Sequence, residues 1–207
     1  MRDETIGGFL GKLAARTSVP GGGATAALHA AQAAALLGMT ARYSDGARNV
    51  QHAETIAMII VEADRLRDAS VGLIAIDGEA FGAVAEAYRL PKDTDEERAN
   101  RASAIAAAMV TASSPPAELI SIGTRLVELA ELLQPVVNRT VAGDVAAAVQ
   151  AVRAAIVTSQ VNVEANLSGV TDPGARERLT AVLAVVDGLE RRVERLTAAI
   201  RASLAAG

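Results

Sequence analysis

The sequence predicts an all-α fold, an elongated up-and-down helical bundle, and three observations predict it. Hydrophobic residues make up 51% of the 207 residues while aromatic residues make up only 2%. A core must therefore be assembled from Ala, Val, Leu and Ile, which pack closely where helices approach, and this favours a bundle over a sandwich or barrel. Breaks are few and well spaced: Ser18-Val19-Pro20-Gly21-Gly22-Gly23, Pro91, Pro115-Pro116, Pro135 and Thr171-Asp172-Pro173-Gly174. Between them apolar residues recur at helical spacing. With no internal repeat, low-complexity linker or shift in composition, residues 1–207 read as one domain, long enough to bury a substantial core.

The breaks and periodicity place helices at about 3 to 15, 23 to 43, 50 to 89, 95 to 113, 116 to 134, 141 to 167 and 174 to 204, with ends uncertain by about two to four residues. The last is the clearest. Leu179, Val182, Val186, Leu189, Val193, Leu196 and Ile200 alternate at spacings of three and four while Arg and Glu fill the outer positions, a packing seam of the left-handed bundle kind. The third helix repeats the pattern with Ile56, Ile59, Ala63, Leu66, Ser70 and Leu73, then places Asp77 where the next apolar residue should fall, before Phe81. The second is packed with Ala24, Ala26, Ala27, Ala30, Ala31, Ala33, Ala34 and Ala35, so neighbouring backbones can come close and it is expected to be central. Helices this long, with so little aromatic bulk, predict a core finished by a second subunit in a symmetric dimer.

Composition also removes function classes. A formal charge of -4 and pI near 5.3, without a Lys/Arg cluster or aromatic platform, argue against a nucleic-acid partner. No cysteine is present, which removes disulfides, thiolate nucleophiles and Cys-ligated zinc, and two isolated histidines, His29 and His52, make no metal site. The charged start MRDETIGGFL is no signal peptide. The nearest candidate for a membrane span, residues 24–41, is mostly Ala and carries His29 and Gln32. The expected setting is the cytoplasm, with no membrane partner. In that setting the triplets Asn138-Arg139-Thr140 and Asn166-Leu167-Ser168 carry no glycosylation message.

Asp77 is the most informative single residue. An acid on a core stripe is hydrogen-bonded, raised in pKa or facing a cavity, each compatible with acid or base work near neutral pH; alternatively the stripe rotates here and Asp77 sits at a solvated edge. The glycines of Pro20-Gly21-Gly22-Gly23 strip side chains from the start of a helix, which either offers backbone N–H groups to an anion or polar ring edge, or simply makes a turn. The stretch is neither a dinucleotide fingerprint nor a phosphate loop. Thr94 followed by Glu97 makes a capping box, and Lys92 just before it is either a solvated charge or a hold for a carboxylate tail. Asp144 and Asn162 lie 18 residues apart, about five turns and roughly 27 Å on one helical face, with Asn166 one turn on. They cannot touch the same small-molecule atom within one subunit, whereas an antiparallel dimer or a long substrate could use both, and a buried Asn can equally bridge helices. Nothing resembles a Ser-His-Asp arrangement or a metal triad.

Several segments, taken in order, resemble the cyclodeaminase domain of formiminotransferase-cyclodeaminase and its free-standing cyclohydrolase relatives. Phe9-Leu10-Gly11-Lys12-Leu13-Ala14 followed by Pro20-Gly21-Gly22-Gly23-Ala24-Thr25-Ala26-Ala27 resembles the family's opening, and Asp77-Gly78-Glu79-Ala80-Phe81 its Asp-x-x-Ala-Phe segment. Arg89-Leu90-Pro91-Lys92-Asp93-Thr94 is similar to its Leu-Pro-Lys-x-Thr turn, Asn138 through Asp144 to its Gly-Asn to Ser-Asp stretch, and Asn162-Val163-Glu164-Ala165-Asn166-Leu167 to its Asn-Val-x-x-Asn-Leu segment. The chain departs from the family at Ala75, where a second acid is frequent, at Gly143 in place of Ser, and at Val137 in place of Gly. The resemblance implies a homodimer that binds a folate, needs no cofactor, and uses Asp77 and Asp144 as its acids. It puts Pro20, Gly21, Gly22, Gly23, Lys92, Asn138, Asn162 and Asn166 in or near the folate cleft. The chain is too short to hold the transferase half, so the implied reaction is hydrolysis of 5,10-methenyltetrahydrofolate to 10-formyltetrahydrofolate. Cyclodeamination of 5-formiminotetrahydrofolate and a non-catalytic folate-binding or scaffold role are the alternatives.

Overall fold

The computed structural model describes residues 4–206 and contains, among them, helices and no strand. In chain order these are α1 (Ile6–Leu13), α2 (Gly22–Ser44), α3 (Ala53–Arg89), α4 (Asp95–Leu133), α5 (Ala142–Leu167), α6 (Pro173–Leu183) and α7 (Val186–Ala205). Short 3-10 turns at Ala47–His52, Gln134–Val136 and Arg139–Val141 join them. The expected start of the first helix, at residue 3, lies outside the described residues.

The helices start where short polar side chains take up the free N–H groups of a first turn. Thr5 accepts from the Gly8 N–H at 3.1 Å, and Asp172 accepts from Ala175 at 2.6 Å ahead of Pro173. At Thr94 the capping box forms in both directions, Glu97 N–H to Thr94 Oγ1 at 3.2 Å and Thr94 N–H to Glu97 Oε2 at 3.0 Å.

Successive long helices run antiparallel. Along α2 and α3, Arg42 meets Asp64 at one end and Gly23 meets Asp77 at the other. Along α4 and α5, Gly123 meets Ile156 and Ala112 meets Asn166. Helix α2 is central as its alanines suggest, packing on α3, α5 and α4. Ala26, Ala27, Ala30 and Ala33 are fully buried, and only Ala35 of the alanine set faces solvent. Of the seam residues Leu179, Val186, Leu189, Val193, Leu196 and Ile200 are buried and Val182 is half-buried, and α7 packs against α5 and α4.

Two predicted boundaries are corrected. Pro115-Pro116 does not end a helix; α4 runs through both residues, which are buried. A proline inside a helix costs about 3 kcal/mol, and burial of Leu119, Ile120, Leu126 and Leu129 beyond it, each worth about 1.5–3 kcal/mol, outweighs that cost. The last predicted helix is instead two, separated at Ala184 and Val185, where ψ of -19° and -17° loosens the turn without leaving the helical region. No proline or glycine stands at that point, so nothing local marks it.

By length and apolar composition two stretches, Asp95–Val136 and Arg139–Leu167, are long enough to cross a membrane. The sequence had singled out residues 24–41 as nearest to that, but there His29 and Gln32 lower the hydropathy. Within the fold the two stretches pack on each other and against α2.

Candidate active site

Antiparallel pairing of α2 with α3 brings Asp77 to the first turn of α2. That turn has no acidic residue and no side-chain cap, so its N–H groups need an acceptor from elsewhere. Asp77 supplies one, with the Ala24 N–H directed at its carboxylate. The approach is possible because residue 23 is glycine: a Cβ there would lie 2.0 Å from Asp77 Oδ1 and 2.6 Å from Oδ2. At Gly22 the same atom would meet Asn162 at 3.8 Å and Thr158 Cγ2 at 4.0 Å, both ordinary contacts, and at Gly21 it would meet nothing within 4 Å. None of these glycines has a positive φ, so at Gly23 the requirement is space, not backbone freedom.

The question left open at Asp77 is answered by its setting. Ile56, Ile59, Ala63, Leu66, Ser70 and Leu73 form a buried stripe, and Asp77 continues it, half-buried, into a cleft. Burial pushes its carboxyl above the ordinary value of 3.8, and the Ala24 N–H, which favours the ionised form, works against this.

The cleft holds about 330 Å³, within the range of small-molecule sites. Gly21, Gly22 and Gly23 form one edge, Phe81 and Val84 continue the α3 wall, Met109, Ala112 and Pro116 of α4 face them, and Asn162 and Asn166 close it from α5. Asp77 is the one ionisable group among these lining residues. Asn166 also bridges helices, its Nδ2 donating to the Ala112 carbonyl at 3.0 Å. Pro20, directly before the glycines, is buried and does not line the space.

The remaining candidates lie elsewhere. Asn138 is at the opposite end of the bundle, where its N–H donates to Ser44 Oγ at 2.9 Å, its Nδ2 donates to the Tyr43 carbonyl at 3.1 Å, and its Oδ1 caps the Arg139–Val141 turn. A second hollow of about 510 Å³ opens there, between Tyr43–Asn49 and Pro135–Thr140. Asp144 is in the first turn of α5 at that same end. Lys92 is exposed in the loop after α3, beyond a helical extension of about 18 Å past Asp77, and its carbonyl accepts from Arg98 at 3.1 Å. One chain therefore groups Asp77, Gly21–Gly23, Asn162 and Asn166, and leaves Asn138, Asp144 and Lys92 apart from them.

Reasoning from sequence missed the α4 wall, because Pro115-Pro116 was read as a break. The signal was present: helical periodicity resumes in phase beyond the pair. Met109 is held in the wall by Gly169, where a Cβ would come within 2.7 Å of Met109 Cγ. Ala75, where the family's second acid is frequent, is exposed on α3, roughly 200° around the helix from Asp77. Among the described residues no group of three or more His, Asp or Glu is placed to hold a metal ion.

The sequence pattern of the formiminotransferase-cyclodeaminase family matches residues 5–184. A methenyltetrahydrofolate cyclohydrolase of Methylorubrum extorquens is 36% identical over 196 residues, covering 92% of this chain and 94% of that protein. The formimidoyltransferase-cyclodeaminase of Mus musculus is 30% identical over 177 residues, covering 85% of this chain but 33% of its own length. In structure the chain is similar to formiminotetrahydrofolate cyclodeaminase from Thermotoga maritima, with a TM-score of 0.83 at 24% identity and coverage of 99% and 98%, a likeness of fold.

Proposed function

Because the chain belongs to the formiminotransferase-cyclodeaminase family, whose members are cyclohydrolase and cyclodeaminase enzymes acting in folate one-carbon metabolism, we propose that it hydrolyses 5,10-methenyltetrahydrofolate to 10-formyltetrahydrofolate. The observation that carries this reading is the lone, desolvated carboxyl of Asp77 in a cleft otherwise free of charge. The methenyl bridge is cationic and is its own electrophile. A single anion in a low-dielectric wall attracts it, while the burial that raises its pKa favours the protonated form from which it can return a proton.

In this reading water attacks the methenyl carbon and the new C–O bond forms as its proton passes to Asp77. The protonated Asp77 then returns that proton to N5 as the C–N5 bond breaks, and the hydroxyl loses its own proton to solvent to leave the formyl group on N10. One carboxyl thus acts first as base and then as acid, which removes the need for a partner at position 75. Identity of 36% to the Methylorubrum cyclohydrolase, against 30% to the mouse bifunctional relative and 24% to the Thermotoga cyclodeaminase, favours this over cyclodeamination. Asn162 and Asn166 serve as polar contacts to the pterin. The homodimer, Asp144, Asn138 and Lys92 belong to the same proposal through an antiparallel partner or the long folate tail. The cytoplasmic setting belongs to it as well.

The test is to follow the methenyl chromophore with 5,10-methenyltetrahydrofolate and, separately, 5-formiminotetrahydrofolate. Faster loss from the first than in buffer supports the cyclohydrolase. Faster appearance from the second alone makes it a cyclodeaminase, and no acceleration from either in folded protein rejects both and leaves folate binding without catalysis.

A further inference from the structure

We propose that Pro116 is a positioning residue for the cleft: it frees the Ala112 carbonyl for Asn166 and thereby fixes which end of the Asn166 carboxamide a ligand meets. In an uninterrupted helix the Ala112 carbonyl would accept from the N–H of residue 116. Proline has no N–H, and its ring pushes the carbonyl four residues back away from the ladder. That carbonyl is on the cleft wall and is half-buried, so leaving it unpaired would be costly. Asn166 of α5 supplies the donor at 3.0 Å.

A carbonyl only accepts, so the group turned toward it must be the amide nitrogen, and the side chain has one permitted orientation. The Oδ1 atom then has no donor among the described residues. Nor is it a buried unpartnered atom, since Ser159 Oγ is the one such side-chain atom among them. It is therefore accessible, on a side chain that lines the cleft. The site therefore presents a fixed acceptor and selects a ligand edge rich in N–H donors; resting on the folate reading, that edge is the amino and ring N–H side of a tetrahydropterin. Pro115 provides the internal control. It frees the Thr111 carbonyl in the same way, but Thr111 is exposed and water can serve it.

The experiment compares Pro116→Ala, Pro115→Ala, Asn166→Ala and the Pro116→Ala/Asn166→Ala pair. Both proline changes restore a helical N–H and favour folding. Tetrahydrofolate dissociation constants and the side-chain amide resonances of Asn166 are measured for each. We expect roughly tenfold weaker binding in Pro116→Ala, the worth of one hydrogen bond, less than a twofold change in Pro115→Ala, and no further loss when Pro116→Ala is added to Asn166→Ala. The Asn166 amide protons should exchange slowly in the wild type and in Pro115→Ala, and quickly in Pro116→Ala. Equal binding in the two proline variants, or an undiminished effect of Pro116→Ala without Asn166, overturns the proposal. Should the wild type bind no tetrahydrofolate, the folate reading fails by itself and the amide exchange alone decides: protection retained in Pro116→Ala overturns the link.

Discussion

Asp77 is set between two demands that pull against each other. Its position at the end of a buried stripe raises its pKa above 3.8, so the folded protein holds a proton that the unfolded chain has released, and stability falls as pH rises from the unfolded value through the raised one. Replacing it with Asn removes that cost. Asp77→Asn is expected to be at least as stable as the wild type at pH 7 by urea titration, with less pH dependence above pH 4, while turnover drops by about 10²–10⁴, the usual cost of a lost acid–base group. For the wild type the acid limb of the turnover profile should lie above the ordinary aspartate range. Gly23 tests the same arrangement from the other side. In Gly23→Ala the methyl group occupies the carboxylate's place, so activity should fall at least tenfold by steady-state kinetics, and displacement of Asp77 from the Ala24 N–H offsets the gain in helix propensity. Gly22→Ala, with 3.8 Å of clearance, should remain within a fewfold of wild type.

At the scale of elements, periodicity was a better guide than punctuation. The stripe from Ile56 to Leu73, the seam from Val186 to Ile200 and the capping box at Thr94 were all legible, because each depends on neighbours within a few turns. The prolines misled. Pro115-Pro116 is a local stop signal, yet α4 gains more by burying its second half than the prolines cost, and Asn166, 50 residues beyond Pro116, takes up the carbonyl that Pro116 frees. The closeness of α4 to α5 depends on Gly123, where a Cβ would come within 2.5 Å of Ile156 Cγ1 and 2.8 Å of its Cδ1. Ile156 is 1% exposed and has little room to yield. Gly123→Ala should therefore destabilise by about 1–3 kcal/mol through overpacking, read as a lower urea midpoint at unchanged slope.

For the whole molecule, antiparallel bundling decides which candidates meet. It gathers Asp77, the glycines, Asn162 and Asn166 at one end and sends Asn138 and Asp144 to the other, about 27 Å along α5. Between Arg16 and Arg42 no residue is charged, and α2 carries Leu28, Gln32, Ala35, Met39 and Tyr43 on its half-buried or exposed face from one end toward the other. A second copy laid antiparallel on that face would cover it, which supports the proposed homodimer. Sedimentation equilibrium should return twice the chain mass of 21.2 kDa. A single-chain mass at micromolar concentration would reject the dimer and leave the long folate tail as the one link between Asp144 and the cleft.

The sequence by itself determined the helical class, α1, α2, α3 and α5 as units, the central place of the alanine helix and the family, since composition, periodicity and ordered motifs are properties of the linear chain. It also named Asp77, because a carboxylate interrupting an apolar stripe is visible without a fold. Only the tertiary structure decided that Asp77 faces a cleft across Gly23, that α4 supplies the opposite wall, and that Asn166 donates to the Ala112 carbonyl on another helix. Each of these depends on the packing of residues far apart in sequence, and on whether a buried polar group finds its partner there.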